Sequence, residues 1–279
     1  MAPDALEIRV AYRRRGQWGG SKVSVSLVAD KSSQSGGTGT SKRPRKSDAV
    51  YQDLKRQILT GEMTSDSPIT ENSLAQDFGC SQSTIREALM RLQECGLVVR
   101  RGYQGTFVTE LSLPEARLML KLRVSIEVAG VAEAVKFVTQ CDLDEMRELG
   151  REFESRRLQR DVFACAEVDR TLHLKLFQIA RMPVLEPVLV RTFMILQRVM
   201  LSTPRSDASW ARPDVTHHPV IFDALAKRDT EEAISALTSH ILTSAVLLAP
   251  HVYGNDVAQL QEEVDMLDFQ PVLAAVGRS

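Results

Sequence analysis

The side chains best suited to chemistry are an aspartate and a few histidines. Asp169 and His173 lie four residues apart in an apolar-periodic stretch, so on a predicted helix both project from the same face. His218 begins a later predicted helix and His240 sits inside the last one. Imidazole and carboxylate together suit zinc, nickel or another borderline first-row ion, and four protein ligands leave room for a water or a substrate oxygen. A lone histidine is more often a satisfied core or surface residue, which is the reading given to His217. Taken singly, the others keep both readings open. A metallohydrolase would need a general base beside the metal; no HExxH element is present, and Glu167 falls on a different helical face from Asp169.

A second group with chemical capacity is Ser81, Gln82, Ser83, Thr84 and Arg86, at the start of a predicted helix. Hydroxyls at a helix N-terminus suit phosphate oxygens, Gln82 can pair with adenine, and Arg86 can pair with guanine or a phosphate. Such a helix must lie in a major groove about 12 Å wide.

The flanking elements are arranged to hold it there. Val50, Leu54, Ile58 and Leu59 share a helical face, with Ser47 placed as N-cap and Gly61 as terminator. Thr70 opens a short helix ended by Gly79; Ser81 caps the next, ended by Gly96. Leu97–Arg100 and Thr106–Val108 are β-prone runs around Gly102 and Gly105, which predicts a hairpin. Helix, helix, tight turn, helix, hairpin is the layout of a winged helix-turn-helix.

Capping-box spacings at Ser112/Glu115, Asp142/Glu145 and Asp229/Glu232 then announce further helices. Six are expected, over 114–138, 143–158, 162–180, 184–201, 216–226 and 230–248. The fold class is therefore mainly α: a winged helix-turn-helix over 47–110, an all-α helical bundle over 111–253, and a tail or last helix over 254–279. Residues 1–46 form a basic tail expected to be mostly disordered, apart from a possible short strand at Val23–Val28.

Charge is unevenly placed: the tail carries a net +7, residues 47–110 a net −3 and the remainder a net −5. Basic charge for phosphate neutralisation is thus concentrated in the tail. The four cysteines are scattered singly, as in a cytoplasmic protein with reduced thiols. No apolar run is long enough to span a bilayer or lead an export signal.

The run Thr70 to Val98, the preceding helix and the wing Arg100–Val108 together resemble the bacterial GntR regulators. That resemblance implies a DNA-reading surface of Asn72, Ser81, Gln82, Ser83, Thr84, Arg86, Arg101 and Gly105. The family often has arginine at the positions of Asn72 and Gln82. Two amides here imply weaker phosphate attraction and a shifted operator preference. The remainder resembles the FCD ligand-binding domain of the FadR-type branch, in its shorter VanR-like form.

By that resemblance Asp169, His173, His218 and His240 bind a divalent metal, zinc in first place. Arg123 either holds a small carboxylate effector or pairs with Glu127 at i, i+4. The implied protein is a cytoplasmic, homodimeric, ligand-responsive regulator of a pseudo-palindromic double-stranded DNA operator, a repressor of a catabolic operon rather than an enzyme. The alternatives are a metal sensor and, more remotely, a metal-dependent hydrolase.

Overall fold

A computed structural model describes residues 8–14, 17–23, 45–202, 218–254 and 257–265. The first elements are strands β1 (Ile8–Arg14) and β2 (Gln17–Val23), an antiparallel pair with Ile8 opposite Val23 and Arg14 opposite Gln17. This departs from the disordered tail expected there; the alternation Ile8, Val10, Tyr12 carries the period of two that a strand requires. Beyond Val23, the strand expected at Val23–Val28 lies outside the described residues, as does the basic run Lys42–Pro44.

The winged helix-turn-helix head follows. Helix α1 (Lys46–Leu59) begins earlier than the Ser47 cap predicts, because the Asp48 carboxylate accepts the Arg45 N–H at 3.3 Å and Arg45 becomes the N-cap. Ser47 is consequently buried in the first turn. Helix α2 (Glu71–Asp77) is capped by Thr70, and α3 (Gln82–Glu94) by Ser81, whose hydroxyl accepts the Thr84 N–H at 3.2 Å. Gly96, at φ +80°, turns the chain out of α3 into the wing. There β3 (Val98–Arg100) pairs antiparallel with β4 (Thr106–Val108), and Ile69 bridges to Thr106. Val50, Leu54, Ile58, Ile85, Leu92 and Val108 fill the head's core, joined by Met194 from the bundle.

The bundle consists of α4 (Leu113–Phe137), α5 (Gln140–Leu158), α6 (Val162–Ile179), α7 (Glu186–Leu201), α8 (His218–Lys227) and α9 (Thr230–Leu248). Two short helices, α10 (Pro250–Tyr253) and α11 (Val257–Asp265), close the chain, with Leu260 in the bundle's core. Ser112 and Glu115 form the expected capping box at α4. At α5 the cap is Thr139, not Asp142; Asp142 is the reciprocal N3 partner, so the helix starts three residues earlier than expected. Gly130 lets α4 lie against α6, since a Cβ there would stand 2.7 Å from the Phe177 ring.

Arg228 sits at φ +56° between α8 and α9 and donates to the carbonyls of Val135, Lys136 and Val138 at 2.7, 3.1 and 2.9 Å. It thereby serves orphan acceptors at the end of α4. Among the described residues no helix is long and apolar enough to cross a membrane, and all four cysteines are free thiols.

Head and bundle are joined by more than the linker. Lys55 of α1, almost fully buried beside Tyr51 and Phe163, donates to Glu167 of α6 at 2.5 Å, and Arg170 donates to the same oxygen at 2.9 Å. Burial pushes the Lys55 ammonium below its ordinary range, with Glu167 offsetting only part of this. Burial would raise the Glu167 carboxyl, yet the two cations hold it below its usual value.

Lys55→Met is expected to lower the unfolding free energy by roughly 2–3 kcal/mol, less than the 3–5 typical of a broken buried pair, because Arg170 still faces Glu167. A group with a depressed folded pKa contributes stability above its unfolded value, here about pH 4.3, and loses it as pH falls through the folded one. Urea unfolding should therefore show a wild-type advantage at neutral pH that shrinks on acidification. An advantage of similar size throughout would assign the effect to packing instead.

Candidate metal centre and DNA-reading face

Asp169 and His173 come from one face of α6, His218 from the first turn of α8 and His240 from the middle of α9. One ligand atom from each lies within 4.8 Å of all the others. His218 Nε2 and His240 Nε2 stand 3.0 and 3.2 Å from the same Asp169 oxygen, and His173 Nε2 stands 3.6 Å from it. The three histidine side chains are at most 4% exposed, whereas Asp169 keeps 20%. Phe153 and Phe222 pack on the His218 ring and Phe193 on that of His173, walling the site with apolar surface.

The donor set fits a divalent ion. The second nitrogen of His173, Nδ1, is bonded to the Glu127 carboxylate, which leaves Nε2 turned to the cluster. A carboxylate on the far nitrogen of a metal-ligating histidine fixes tautomer and orientation in the same manner. Three Nε2 atoms gathered around one carboxylate oxygen are donors of the kind a divalent ion takes. Burial would raise the Asp169 carboxyl, but the His173 charge and hydrogen bonds from all three imidazoles hold it well below its ordinary value. Burial opposes charge on His173 too, and the Glu127 and Asp169 carboxylates overcome it, lifting that imidazole to about 9. His240, buried and beside His218, is pushed down to about 3.

Arg123 realises the ion pair expected as one of its two roles: Nε donates to Glu127 at 2.6 Å, fully buried. The same guanidinium faces the cluster, with Nη2 at 3.3 Å from His173 Nε2 and Cζ 3.9 Å from the Phe193 ring centre. Glu127 was not singled out in the sequence beyond its spacing from Arg123. It is the residue that ties arginine to histidine, and no spacing links it to His173, 46 positions away. His217 lies outside the described residues.

On the head, Asn72, Gln82, Ser83 and Arg86 are exposed together at the α2–α3 corner, with Thr84 half-buried. They are already linked. Gln82 Nε2 donates to Asn72 Oδ1 at 3.4 Å, the Ser81 hydroxyl lies 2.8 Å from those of Ser83 and Thr84, and Arg86 grips Glu71 through Nε and Nη2 at 3.1 and 2.6 Å. Arg86 is thus engaged, not free as its position alone suggested. Arg101 is exposed in the wing, over the Phe107 ring, and Gly105, at φ +107°, is half-buried beside it. The wing tip also presents Tyr103, fully exposed and passed over in the sequence, where only its neighbours drew notice.

Residues 46–108 match the family described as "Bacterial regulatory proteins, gntR family", and residues 118–243 match the FCD domain. The HTH-type transcriptional repressor RspR of Escherichia coli (strain K12) is 28% identical over 194 residues, covering 69% of this chain and 84% of that protein. The galactonate operon transcriptional repressor of the same strain is 24% identical over 219 residues, covering 71% and 95%. Among solved structures, E. coli McbR/YncC aligns with a TM-score of 0.61 at 21% identity, over 79% of this chain and 99% of that one, a likeness of fold. Head and bundle are therefore a gntR-family DNA-binding domain followed by an FCD domain, and the chain is a transcription regulator assembled from the two.

Proposed function

We propose that this regulator is a cytoplasmic, homodimeric repressor of a catabolic operon that senses a small carboxylate at a divalent-metal centre. The observation that carries the reading is the double use of α6. One face supplies Asp169 and His173 to the cluster, and another supplies Glu167 to Lys55 in the head's first helix. A change at the cluster is therefore one helix away from the DNA-reading domain. A ligand can exploit this only through different affinities for two head arrangements.

Asp169, His173, His218 and His240 would hold the ion, zinc by preference for this donor set with nickel or a neighbour as substitutes. The ion supplies a Lewis-acid anchor for an effector oxygen. Arg123, its Nε held by Glu127, keeps further N–H donors for the second oxygen of a carboxylate. One relative is named for a galactonate operon, and galactonate is itself a carboxylate. A hydrolytic role lacks support, since among the described residues the one further carboxylate touching the cluster, Glu127, is bound to both His173 and Arg123. A metal sensor differs in that DNA release would follow the ion alone.

Purified protein should contain about one divalent ion per chain by elemental analysis, and His240→Ala and His173→Ala should each lose most of it. Wild-type content in both variants would refute the site. For DNA, the Asn72, Gln82, Ser83, Thr84, Arg86, Arg101 and Gly105 surface would read the operator, with Ser81 capping the helix that carries it. Arg86 must exchange Glu71 for a base or phosphate, so Glu71→Gln should tighten operator binding while Arg86→Ala weakens it, by roughly 1–3 kcal/mol. Fluorescence anisotropy distinguishes this from a scaffold role, in which both changes weaken binding.

The dimer would use the outer face of α4, where Leu118 and Leu122 are 65% and 41% exposed one turn apart on a helix whose opposite face is core. Light scattering should give a dimer for the wild type and a monomer for the double variant Leu118→Glu, Leu122→Glu. A dimer surviving both charges would place the interface on another face.

A further inference from the structure

Away from the metal centre, a cavity of about 180 Å³ opens where head meets bundle. Its polar lining comes from both: Thr109 after the wing, Ser112 at the start of α4, Arg198 and Ser202 at the end of α7, and His251 in α10. Aliphatic side chains such as Leu97 make up much of the remainder. At roughly 30 Å³ per water-sized group, the space suits a molecule of about six heavy atoms.

Arg198 is the unusual member. Arg123, Arg157 and Arg170, which are comparably sheltered, each face a carboxylate within 3 Å. Among the described residues Arg198 has no such partner, although it is half-buried. Glu110, whose charge reaches it most, lies beyond ion-pair distance and is closer to Arg101, at 3.9 Å. Burial lowers the Arg198 pKa from its usual value, the direction expected of a cation that lacks a close counter-charge.

We propose that this cavity is a second effector site, for a short-chain aliphatic monocarboxylate whose carboxylate is held by Arg198. Among the described residues that line it, Arg198 is the one Lys or Arg, and a single guanidinium beside aliphatic side chains matches a singly charged head with a short apolar body better than a phosphate, which would draw on several cations or a cradle of N–H donors. Because its walls belong to both domains, an occupant favours the head arrangement that keeps the cavity closed around it. The site is separate from the metal centre and does not depend on how that centre is used.

Calorimetric titration of the full-length protein with butyrate, and with butyramide as the uncharged counterpart, tests this directly. Butyrate should bind His240→Ala, in which the metal centre no longer competes for a carboxylate, and butyramide should bind that protein at least about tenfold more weakly; the Arg198 variants are made in the same background. Arg198→Gln should weaken butyrate by at least about tenfold, and Arg198→Lys, which keeps the charge, by less. Should His240→Ala fail to fold, wild-type protein dialysed against a chelator takes its place, and thermal melting establishes that the Arg198 variants are folded. Unchanged butyrate affinity in folded Arg198→Gln, or binding lost with the metal centre, would overturn the proposal. So would a wild type that binds inorganic phosphate but not butyrate.

Discussion

A lysine ammonium can stay inside a protein only if an anion goes in with it, and Lys55 takes its anion from another domain. That constraint organises the molecule. Lys55 belongs to the helix on which the head's core is built, and Glu167 to the helix that carries half of the His/Asp cluster. The pair is reinforced from both sides. Tyr51 and Phe163 lie close to the ammonium, and Arg170 shares the carboxylate. Met194 extends the contact into shared apolar packing, and Arg191 donates to the Glu94 carbonyl at the end of the reading helix. Head and bundle thus meet through charge, packing and a helix end at once, which is why a small displacement of α6 has somewhere to go.

The cluster itself depends on a similar economy of charge. Glu127 is wholly buried and has two partners of different kinds, the Arg123 guanidinium and the His173 imidazole. A buried carboxylate needs such company. The result is a chain of polar contacts from Arg123 through Glu127 and His173 to Asp169, threaded between Phe193 and the other two histidines. Each member restricts the next, so the geometry of the cluster is set by the chain's own contacts.

Much of this is legible in the sequence because it is written in local codes. The reading helix announces itself through Ser81, Gly79 and Gly96, and the α4 start through Ser112 and Glu115, signals confined to a few residues. The four cluster residues could be named together only through a family resemblance, since spacing relates Asp169 to His173 but not to His218 or His240. What stayed hidden was of two kinds. Competing caps shifted the starts of α1 and α5, where Arg45 and Thr139 are the caps in place of Ser47 and Asp142, and Asp48 and Asp142 are their N3 partners. Long-range pairings, Lys55 with Glu167 and Glu127 with His173, leave no periodic trace, because side chains brought together by tertiary packing obey no sequence interval.

Arg228 bears on the order in which the chain acquires its shape. Its backbone makes the sharp reversal between α8 and α9, a local event, while its side chain closes the end of α4 some 90 residues earlier. Bringing such distant segments together must meet the entropy of closing the intervening loop before any contact rewards it. The last carbonyls of α4 therefore stay hydrated until the α8–α9 corner has docked. Completion of that helix end thus depends on the segments that also deliver His218 and His240.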